Sequence, residues 1–211
     1  MATGPGPSKI IGIGLNYRAH AAEMKKALPE APLLFMKPPS ALIGPGEAIV
    51  RPRGPARVDF EGELCVVIGT RARRVPRERA LEHVAGYTIM NDVSVRDYQK
   101  SDVQYTRAKG FDTFAPCGPR VVPGLDPSNL TIETRVNGEI RQSSSTSDMI
   151  FDVPTLIAFV SRVMTLEPGD LITTGTPSGV GPIMPGDTIR IEIPPIGVLE
   201  NPVVDDTEAY P

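Results

Sequence analysis

The sequence predicts a mixed α+β fold that is dominated by β-strands and contains only a few short helices. Short apolar segments alternate with turns rich in proline and glycine, of which there are 23 and 20 among 211 residues. Proline and glycine typically end strands and form turns. The segment LTIETRVNGEIRQ (130–142) alternates apolar and polar residues around Asn137-Gly138, which is typical of a tight hairpin. No repeat or linker divides the chain, so residues 1–211 are interpreted as one domain.

Before this hairpin the chain contains four apolar runs with the length and composition of strands. These predicted strands are KIIGIG (9–14), LLFMK (33–37), VDFEGELCVVIG (58–69) and GYTIMNDVSV (86–95). Two segments are predicted as helices. One has helical composition over 17–28 and stops before Pro29, and the other, 76–86, begins with proline and ends with glycine.

The remaining segments differ in how strongly their composition indicates regular structure. A connection rich in glycine and proline spans 44–57, and a longer polar segment spans 101–119. After the hairpin, PTLIAFVSRVMTL (154–166) predicts an amphipathic to buried helix, with Asp152 available near its start. Two Pro-Gly-Asp turns then lead into predicted strands at 171–174 and 188–193.

Composition excludes several classes of function. The net charge of -3 and the lack of a dense basic stretch argue against a nucleic-acid partner. No run approaches the roughly 18 apolar residues of a membrane span, and the N-terminus does not resemble a signal peptide. Cys65 and Cys117 lie among apolar or turn residues, so we expect no disulfide framework and a reducing, cytoplasmic location.

Three acidic residues open the strand 58–69. Asp59, Glu61 and Glu63 are spaced two apart, so they point to one face of a regular strand. The apolar run that follows draws at least Glu63 towards the interior, where an unpaired carboxylate costs several kcal/mol. A divalent cation or arginines could compensate. By spacing alone, acids on the solvent face of an edge strand are an equally good interpretation.

Asp92 is a fourth candidate, because it follows the apolar run GYTIM and lies next to Asn91. Two glutamates and an aspartate offer only oxygen ligands, without histidine or cysteine. Such a set suits Mg²⁺, Mn²⁺ or Ca²⁺ better than Zn²⁺.

Five segments in this order resemble the fumarylacetoacetate hydrolase family in its short, single-domain form. They are VDFEGELCVVIG, GYTIMNDVSVRDYQ, RAKGFDTFAPCGP, VNGEIRQ and ITTGTPSGVG. The resemblance extends from about Lys9 to Val203. It implies a mixed β-sandwich roll, a homodimer, and Mg²⁺ or Mn²⁺ bound by Glu61, Glu63 and Asp92. Asp59 has no ligand role in the family pattern, and residues 1–40 are a candidate lid segment.

The resemblance also implies chemistry on small 2-oxo acids. Family members hydrolyse a carbon–carbon bond in acylpyruvates, decarboxylate oxaloacetate, or isomerise or decarboxylate unsaturated hydroxy-dioates. A chelated cation acts as a Lewis acid and stabilises a pyruvate enolate. Hydrolysis also needs a base that activates water.

His20 and Glu23 are the candidate base, since they are three positions apart and lie on one side of a predicted helix. A carboxylate beside an imidazole fixes its tautomer and raises its basicity. The residues alone favour an ordinary surface pair. The match to the His–Glu dyad of short acylpyruvate-hydrolysing members reverses that preference. His83 matches no motif of the family.

Three further residues occupy family positions near the metal or the substrate, and a fourth candidate comes from a glycine-rich loop. The resemblance implies that Lys109 stabilises an oxyanion or positions the substrate carboxylate. It places Arg96 and Gln99 against the substrate, although Arg96 could instead pair with Asp97 or Asp102. These two aspartates and the remaining candidate, Thr176, lie in RDYQKSD and GTPSGVG. Thr176 is a candidate donor in a loop whose glycines permit close approach to a ligand.

Two departures from the family pattern concern the pocket. Many relatives have tryptophan where this chain has Gln104-Tyr105, and serine often stands where it has Gly110. The loop GTPSGVG lacks the ending of a nucleotide loop, and GIGLNY lacks dinucleotide spacing. No organic cofactor is implied.

The leading hypothesis is therefore a metal-dependent hydrolase of an acylpyruvate-type 2,4-dioxo acid. Decarboxylation or isomerisation of oxaloacetate or 2-hydroxyhepta-2,4-diene-1,7-dioate at the same site is the alternative. A non-catalytic protein that binds a small acid or another protein is disfavoured, because all three metal ligands and Lys109 are present.

Overall fold

The structure, a computed structural model, describes residues 6–54 and 57–209. Short strands dominate, as the sequence predicts. In the first part of the chain they are β1 (Ile10–Gly14), β2 (Leu33–Lys37), β3 (Leu42–Ile43), β4 (Ile49–Arg53), β5 (Val58–Phe60), β6 (Gly62–Ile68), β7 (Val84–Asn91) and β8 (Ser94–Val95). In the second part they are β9 (Ala115–Val122), β10 (Thr131–Val136), β11 (Glu139–Ser145), β12 (Leu171–Thr173), β13 (Gly181–Pro182), β14 (Thr188–Ile193) and β15 (Gly197–Ala209).

The α-helices of the described residues are short. They are α1 (Arg18–Glu23), α2 (Arg96–Ser101), α3 (Thr106–Lys109) and α4 (Val153–Val163). Asp152 caps α4, where its carboxylate accepts a hydrogen bond from the backbone of Thr155 at 3.0 Å. Short 3₁₀ helices span 39–41, 77–83, 127–129 and 146–148.

The strands form two mixed sheets and one small antiparallel sheet. A seven-stranded sheet has the order β2-β1-β12-β6-β7-β9-β3, and a five-stranded sheet has the order β11-β10-β14-β15-β4. A small three-stranded sheet contains β13, β5 and β8. Strands β10, β14 and β15 of the five-stranded sheet contact β6, β7 and β9 of the seven-stranded sheet. The main apolar core fills the space between these layers, with fully buried residues from both, such as Leu64, Ile89, Ile191 and Leu199.

The strand predicted over 58–69 is interrupted at Glu61. Residues Val58–Phe60 pair with β8 and β13, whereas Gly62–Ile68 pairs with β7 and β12. The expectation of one continuous strand is therefore wrong, although the carboxylates of Asp59, Glu61 and Glu63 still point to one region: Arg96 bridges the first two, and Glu61 and Glu63 converge. The pairing partners of the two halves belong to different sheets, and the chain turns between them.

Several predicted boundaries also change. The helix predicted over 17–28 spans only Arg18–Glu23, and the segment predicted as a helix over 76–86 is a 3₁₀ segment at 77–83. Residues 84–85 already belong to β7, which ends at Asn91 before a separate β8. In contrast, the hairpin turns at Asn137-Gly138 as predicted, and β2 and β14 match their predicted ranges.

Some elements have no strong local signal. Strand β4 lies in the connection 44–57, and α2, α3 and β9 contribute to the segment 101–119. The long strand β15 contains Pro202 and several acidic residues, which are uncommon in strands. The sequence therefore does not predict that it pairs with β14 and β4. Cys65 and Cys117 are both buried free thiols. The first five residues of the candidate lid segment 1–40 lie outside the described residues.

Candidate active site

Three carboxylates converge at the interruption between β5 and β6. Glu61 stands in the break, Glu63 is the second residue of β6, and Asp92 directly follows β7. Antiparallel pairing of β6 with β7 places Gly62 opposite Asn91, which brings these acids together. Each of the three offers an oxygen that lies within 4.8 Å of the others, and all three are buried.

Glu61 and Asp92 share the ammonium of Lys109. Its Nζ donates to Asp92 Oδ2 at 2.5 Å and to Glu61 Oε2 at 3.2 Å, and it also donates to Ser94 Oγ at 2.8 Å. Burial alone would raise the pKa of Glu61, but the charges of Lys109 and Arg96 lower it to about 2. Burial opposes the charge on Lys109 as well, yet Asp92 and Glu61 raise the pKa of this lysine.

Glu63 is less well compensated. Its Oε2 accepts hydrogen bonds from Thr173 Oγ1 and from the backbone N–H of Gly175, the latter at 2.7 Å. Burial, followed by the charges of Asp92 and Glu61, raises the pKa of Glu63 well above its usual value of 4.5. Negative charge is therefore in excess at this end of the cluster. Convergent carboxylates without nitrogen or sulfur ligands fit a hard cation such as Mg²⁺ or Mn²⁺, with Ca²⁺ also compatible.

The imidazole of His20 and the carboxylate of Glu23 form a hydrogen-bonded pair on α1. His20 Nδ1 lies 3.0 Å from Glu23 Oε2. A carboxylate can only accept, so Nδ1 carries the proton and Nε2 is left as the basic nitrogen. Glu23 also accepts from the backbone N–H of Gly179 at 3.2 Å. This contact ties α1 to the loop that contains Thr176.

Seven of the nine predicted site residues line one cavity of roughly 600 Å³, whereas Glu63 and Asp92 are not among its wall residues. His20, Glu23, Glu61, Arg96, Gln99, Lys109 and Thr176 all contribute to its wall. Lys109 Nζ also lies 4.5 Å from the centre of the Phe35 ring, another wall residue. The structure therefore brings together side chains that are up to 156 positions apart in the sequence.

Arg96 does not pair with Asp97 or Asp102, the alternative that the sequence left open. Its Nε donates to Asp59 Oδ2 at 2.8 Å, its Nη2 donates to Glu61 Oε1 at 2.5 Å, and its Nη1 donates to Gln99 Oε1 at 2.8 Å. Asp59 is completely buried. It also receives two hydrogen bonds from the guanidinium of Arg57, at 2.8 and 3.0 Å. The first acid of the row therefore orients an arginine and lies outside the carboxylate cluster.

The hydroxyl of Thr176 is engaged within the protein. It donates to the carbonyl of Gly62 at 3.0 Å and accepts from Gln142 Nε2 at 2.7 Å. Gln142 also donates to the carbonyl of Pro177 at 2.8 Å and accepts from the backbone N–H of Gly62 at 3.0 Å. This glutamine joins β6, the strand that carries Glu63, to the loop that contains Thr176. Sequence reasoning missed it, although it lies in the quoted segment VNGEIRQ.

Helices in the described part of the chain are all too short or too polar to cross a bilayer. The other histidine, His83, lies near Thr70, with its Nδ1 at 3.0 Å from Thr70 Oγ1. Neither residue lines the cavity described above.

Comparison with known proteins identifies the family of the chain. Residues 9–204 match the family described as fumarylacetoacetate (FAA) hydrolase, C-terminal. Oxaloacetate tautomerase YisK of Bacillus subtilis (strain 168) is 48% identical over 213 residues, which cover 94% of this chain and 71% of that protein. The 4-hydroxyphenylacetate degradation bifunctional isomerase/decarboxylase of Escherichia coli is 44% identical over 204 residues. These cover 95% of this chain but only 48% of that protein.

A solved structure shows the same fold. The crystal structure of 5-carboxymethyl-2-hydroxymuconate delta-isomerase from Mycobacterium smegmatis matches with a TM-score of 0.90 at 51% sequence identity. The match covers 96% of this chain and 80% of that one. The chain is therefore an enzyme of the fumarylacetoacetate hydrolase family.

Proposed function

We propose that the protein is a divalent-metal-dependent enzyme that transfers a proton on a small 2-oxo dicarboxylic acid. The expected reactions are keto–enol tautomerisation or isomerisation, with decarboxylation as a related outcome. One observation carries this proposal: the pair of His20 and Glu23 lines the same cavity as Glu61 and Lys109. A base, a cation-binding carboxylate and an ammonium group thus surround a single substrate-sized space.

His20 is the proposed proton acceptor. Its Nε2 takes a proton from the carbon next to the 2-oxo group; the C–H electron pair becomes the C=C bond, and the C=O π pair moves onto the oxygen to give the enolate. Transfer of a proton from the imidazolium to that oxygen gives the enol and restores the neutral imidazole. Glu23, hydrogen-bonded to Nδ1, stabilises the imidazolium that forms. Return of the proton to carbon completes the reverse reaction, so tautomerisation consumes no other reactant.

Lys109 would stabilise the negative charge that builds on the 2-oxo oxygen. Its ammonium is buried and held by two carboxylates and Ser94, so little reorganisation is needed during the reaction. A divalent cation held by Glu61, Glu63 and Asp92 would add a Lewis acid that polarises the 2-oxo carboxylate.

The charge of the cavity favours a dicarboxylate. Arg96 and Gln99 are candidates for binding the first carboxylate. Three exposed cationic residues also line the cavity, namely Lys26, Arg57 and Lys100. They would attract a second carboxylate at the opening. The relatives named as an oxaloacetate tautomerase and a hydroxymuconate isomerase support substrates of this class.

Hydrolysis of an acylpyruvate-type 2,4-dioxo acid is the second candidate. In this reaction the pair of His20 and Glu23 would activate water for attack on the distal carbonyl. The specific observation in its favour is the apolar part of the wall, which includes Met24, Leu33 and Phe35. These side chains could contact an uncharged acyl group.

The test uses full-length protein stripped with a chelator and then supplied with Mg²⁺ or Mn²⁺. Enol and keto oxaloacetate are followed by absorbance, while pyruvate and CO₂ are assayed in the same samples. Acetylpyruvate is the parallel substrate. Metal-dependent loss of enol absorbance, without matching acetate release from acetylpyruvate, supports proton transfer on a dicarboxylate. Release of pyruvate and acetate from acetylpyruvate, with no effect on oxaloacetate, favours the hydrolase.

A further inference from the structure

Lys37 is a completely buried lysine that donates a hydrogen bond to Asp92, one of the three acids of the carboxylate cluster. It is the last residue of β2. Its Nζ donates to Asp92 Oδ1 at 2.6 Å and to the carbonyl of Val93 at 3.1 Å. Its side chain is 0% exposed. The family-based assignment of site residues does not include it.

Burial of this lysine is costly unless its partners are fixed. Desolvation lowers the pKa of Lys37, and the negative charge of Asp92 opposes that effect. Moving an ammonium out of water costs several kcal/mol before its partners compensate. Both acceptors of Lys37 belong to the segment that directly follows β7. The lysine therefore fixes the position of this segment as well as one carboxylate.

The two oxygens of Asp92 have different neighbours. Oδ1 is held by Lys37, whereas Oδ2 lies 2.5 Å from Lys109 Nζ. The same nitrogen lies 3.2 Å from Glu61 Oε2, so Oδ2 is the oxygen on the side of the glutamates. A half-turn of the carboxylate only exchanges two equivalent oxygens, but rotating its plane away from this position would break the contacts with both Lys37 and Lys109.

We propose that Lys37 is a positioning residue that holds Asp92 so that Oδ2 is its single cation-binding oxygen. The inference rests on the proposed metal site. It assigns a role to Lys37 that acts through Asp92, without contact to substrate. Groups that orient metal ligands in this way commonly contribute 10- to 100-fold in affinity.

A purely electrostatic role predicts the opposite sign. A positive charge close to a cation site repels the cation, so removing it would tighten metal binding. Positioning predicts that removal weakens binding, because Asp92 is then free to rotate. The direction of the change in Kd therefore distinguishes the two roles.

The experiment measures Mn²⁺ binding by isothermal titration calorimetry with the full chain after chelator treatment. Lys37→Met is expected to raise the Kd by about 10- to 100-fold. Lys9→Met is the matched control. It also removes a lysine paired with an aspartate, Asp170, but that aspartate is not part of the carboxylate cluster, so the Kd of this variant should equal that of the wild type. An unchanged or lower Kd for Lys37→Met would overturn the proposal.

A double variant excludes a general loss of structure. Asp92→Asn should weaken Mn²⁺ binding by itself, and adding Lys37→Met should then change the Kd by less than about threefold. Additive losses would contradict action through Asp92. Lys37→Gln, which keeps a donor without the charge, provides a second folded variant, and it should also weaken binding.

The same data separate this inference from the proposed function. If the wild type binds no Mn²⁺, the metal site and the inference both fail. If the wild type binds Mn²⁺ and both Lys37 variants bind it at least as tightly, only the inference fails. Thermal unfolding of each metal-free variant establishes that the protein compared is folded.

Discussion

Asp59 and Arg96 form a hydrogen-bonded ion pair, with Arg96 Nε at 2.8 Å from Asp59 Oδ2. The aspartate is completely buried and the arginine side chain is 16% exposed, so a buried carboxylate fixes a guanidinium that lines the cavity. Asp59→Asn removes the charge that holds Arg96 and Arg57. We expect kcat/KM to fall by about 10- to 100-fold through misplacement of Arg96, with Mn²⁺ affinity retained. Steady-state kinetics and calorimetry check this, and a large loss of metal affinity would contradict it.

The pair of His20 and Glu23 predicts a strong dependence of turnover on the imidazole. His20→Asn removes the basic nitrogen, and we expect kcat to fall by about 10²- to 10⁴-fold. Substrate affinity and Mn²⁺ binding should change little, since His20 is assigned neither role. His83→Asn is the control, because that histidine lies outside the cavity. Equal activity in both variants would remove His20 from the mechanism.

Gln142 predicts a large stability effect at a position distant from the reacting atoms. Gln142→Met leaves the backbone N–H of Gly62 and the carbonyl of Pro177 without this partner in a buried environment. Each unsatisfied group costs about 1–3 kcal/mol, so we expect a loss of roughly 2–5 kcal/mol. Urea unfolding measures the loss. A change below about 1 kcal/mol would show that neighbouring groups replace these hydrogen bonds.

Gly179, which lies in the loop that contains Thr176, and Gly138, which lies in the turn between β10 and β11, both have a positive φ. They form a matched pair of positions for substitution by alanine. Gly179 has φ of +96°, and an added Cβ would lie 1.9 Å from the carbonyl oxygen of Arg141. Gly138 has φ of +85° with nothing within 4 Å of an added Cβ. Gly138→Ala should cost about 1 kcal/mol from its backbone conformation alone. Gly179→Ala should cost more and should also lower kcat, because moving Gly179 disrupts its contact with Glu23.

Thermal unfolding and kinetics on both variants test this difference. Equal losses of stability, together with wild-type turnover in Gly179→Ala, would show that the loop moves without affecting α1.

Asp170 predicts a pH-dependent contribution to stability. Its carboxylate has no exposed side-chain surface, and it accepts hydrogen bonds from Glu167 N at 2.8 Å, Lys9 N at 3.1 Å and Ser8 Oγ at 2.7 Å. Burial alone would raise the pKa of Asp170, but these donors and the charge of Lys9 lower it below its usual 3.8. The ionised form is thus favoured in the folded protein.

The stabilisation from Asp170 is therefore fully present above the unfolded pKa and is lost as the pH falls through the folded pKa. Asp170→Asn should destabilise the protein by about 1–3 kcal/mol near neutral pH. The difference from the wild type should shrink below about pH 4. Urea unfolding of both proteins between pH 3 and 7 tests this, and a difference that grows in acid would contradict the assignment.

Local signals explain which parts of the fold are predictable. The hairpin around Asn137-Gly138 and the strand β14 depend on alternation and turn residues within a few positions. The interruption at Glu61 arises because 58–60 and 62–68 pair with strands of different sheets. The sequence from 58 to 69 reads as one continuous strand and does not predict this interruption. Strands β4 and β15 contain Pro52 and Pro202, and only their pairing with each other and with β14 supports them.

The residues of the candidate site also differ in whether the sequence can predict their roles. Local composition marks Glu61, Glu63 and Asp92 only as candidate ligands, and the family resemblance favours these three and adds His20 and Lys109. The roles of three other residues depend on partners far away in sequence. Lys37 is 55 residues from Asp92, Asp59 is 37 from Arg96, and Gln142 is 80 from Gly62. Each is an ordinary polar residue until the fold brings its partner close.

The interruption at Glu61 also connects the choice of cation to the architecture. Glu61 stands between a strand of the small sheet and a strand of the seven-stranded sheet, and Glu63 belongs to the latter. The distance between their carboxylates therefore depends on how far those two sheets are rotated relative to each other. Mg²⁺ requires oxygens at about 2.0–2.1 Å, whereas Ca²⁺ accepts about 2.3–2.6 Å. If these three acids hold a cation as proposed, the packing of the layers would contribute to discrimination by ionic radius, in addition to the chemistry of the acids.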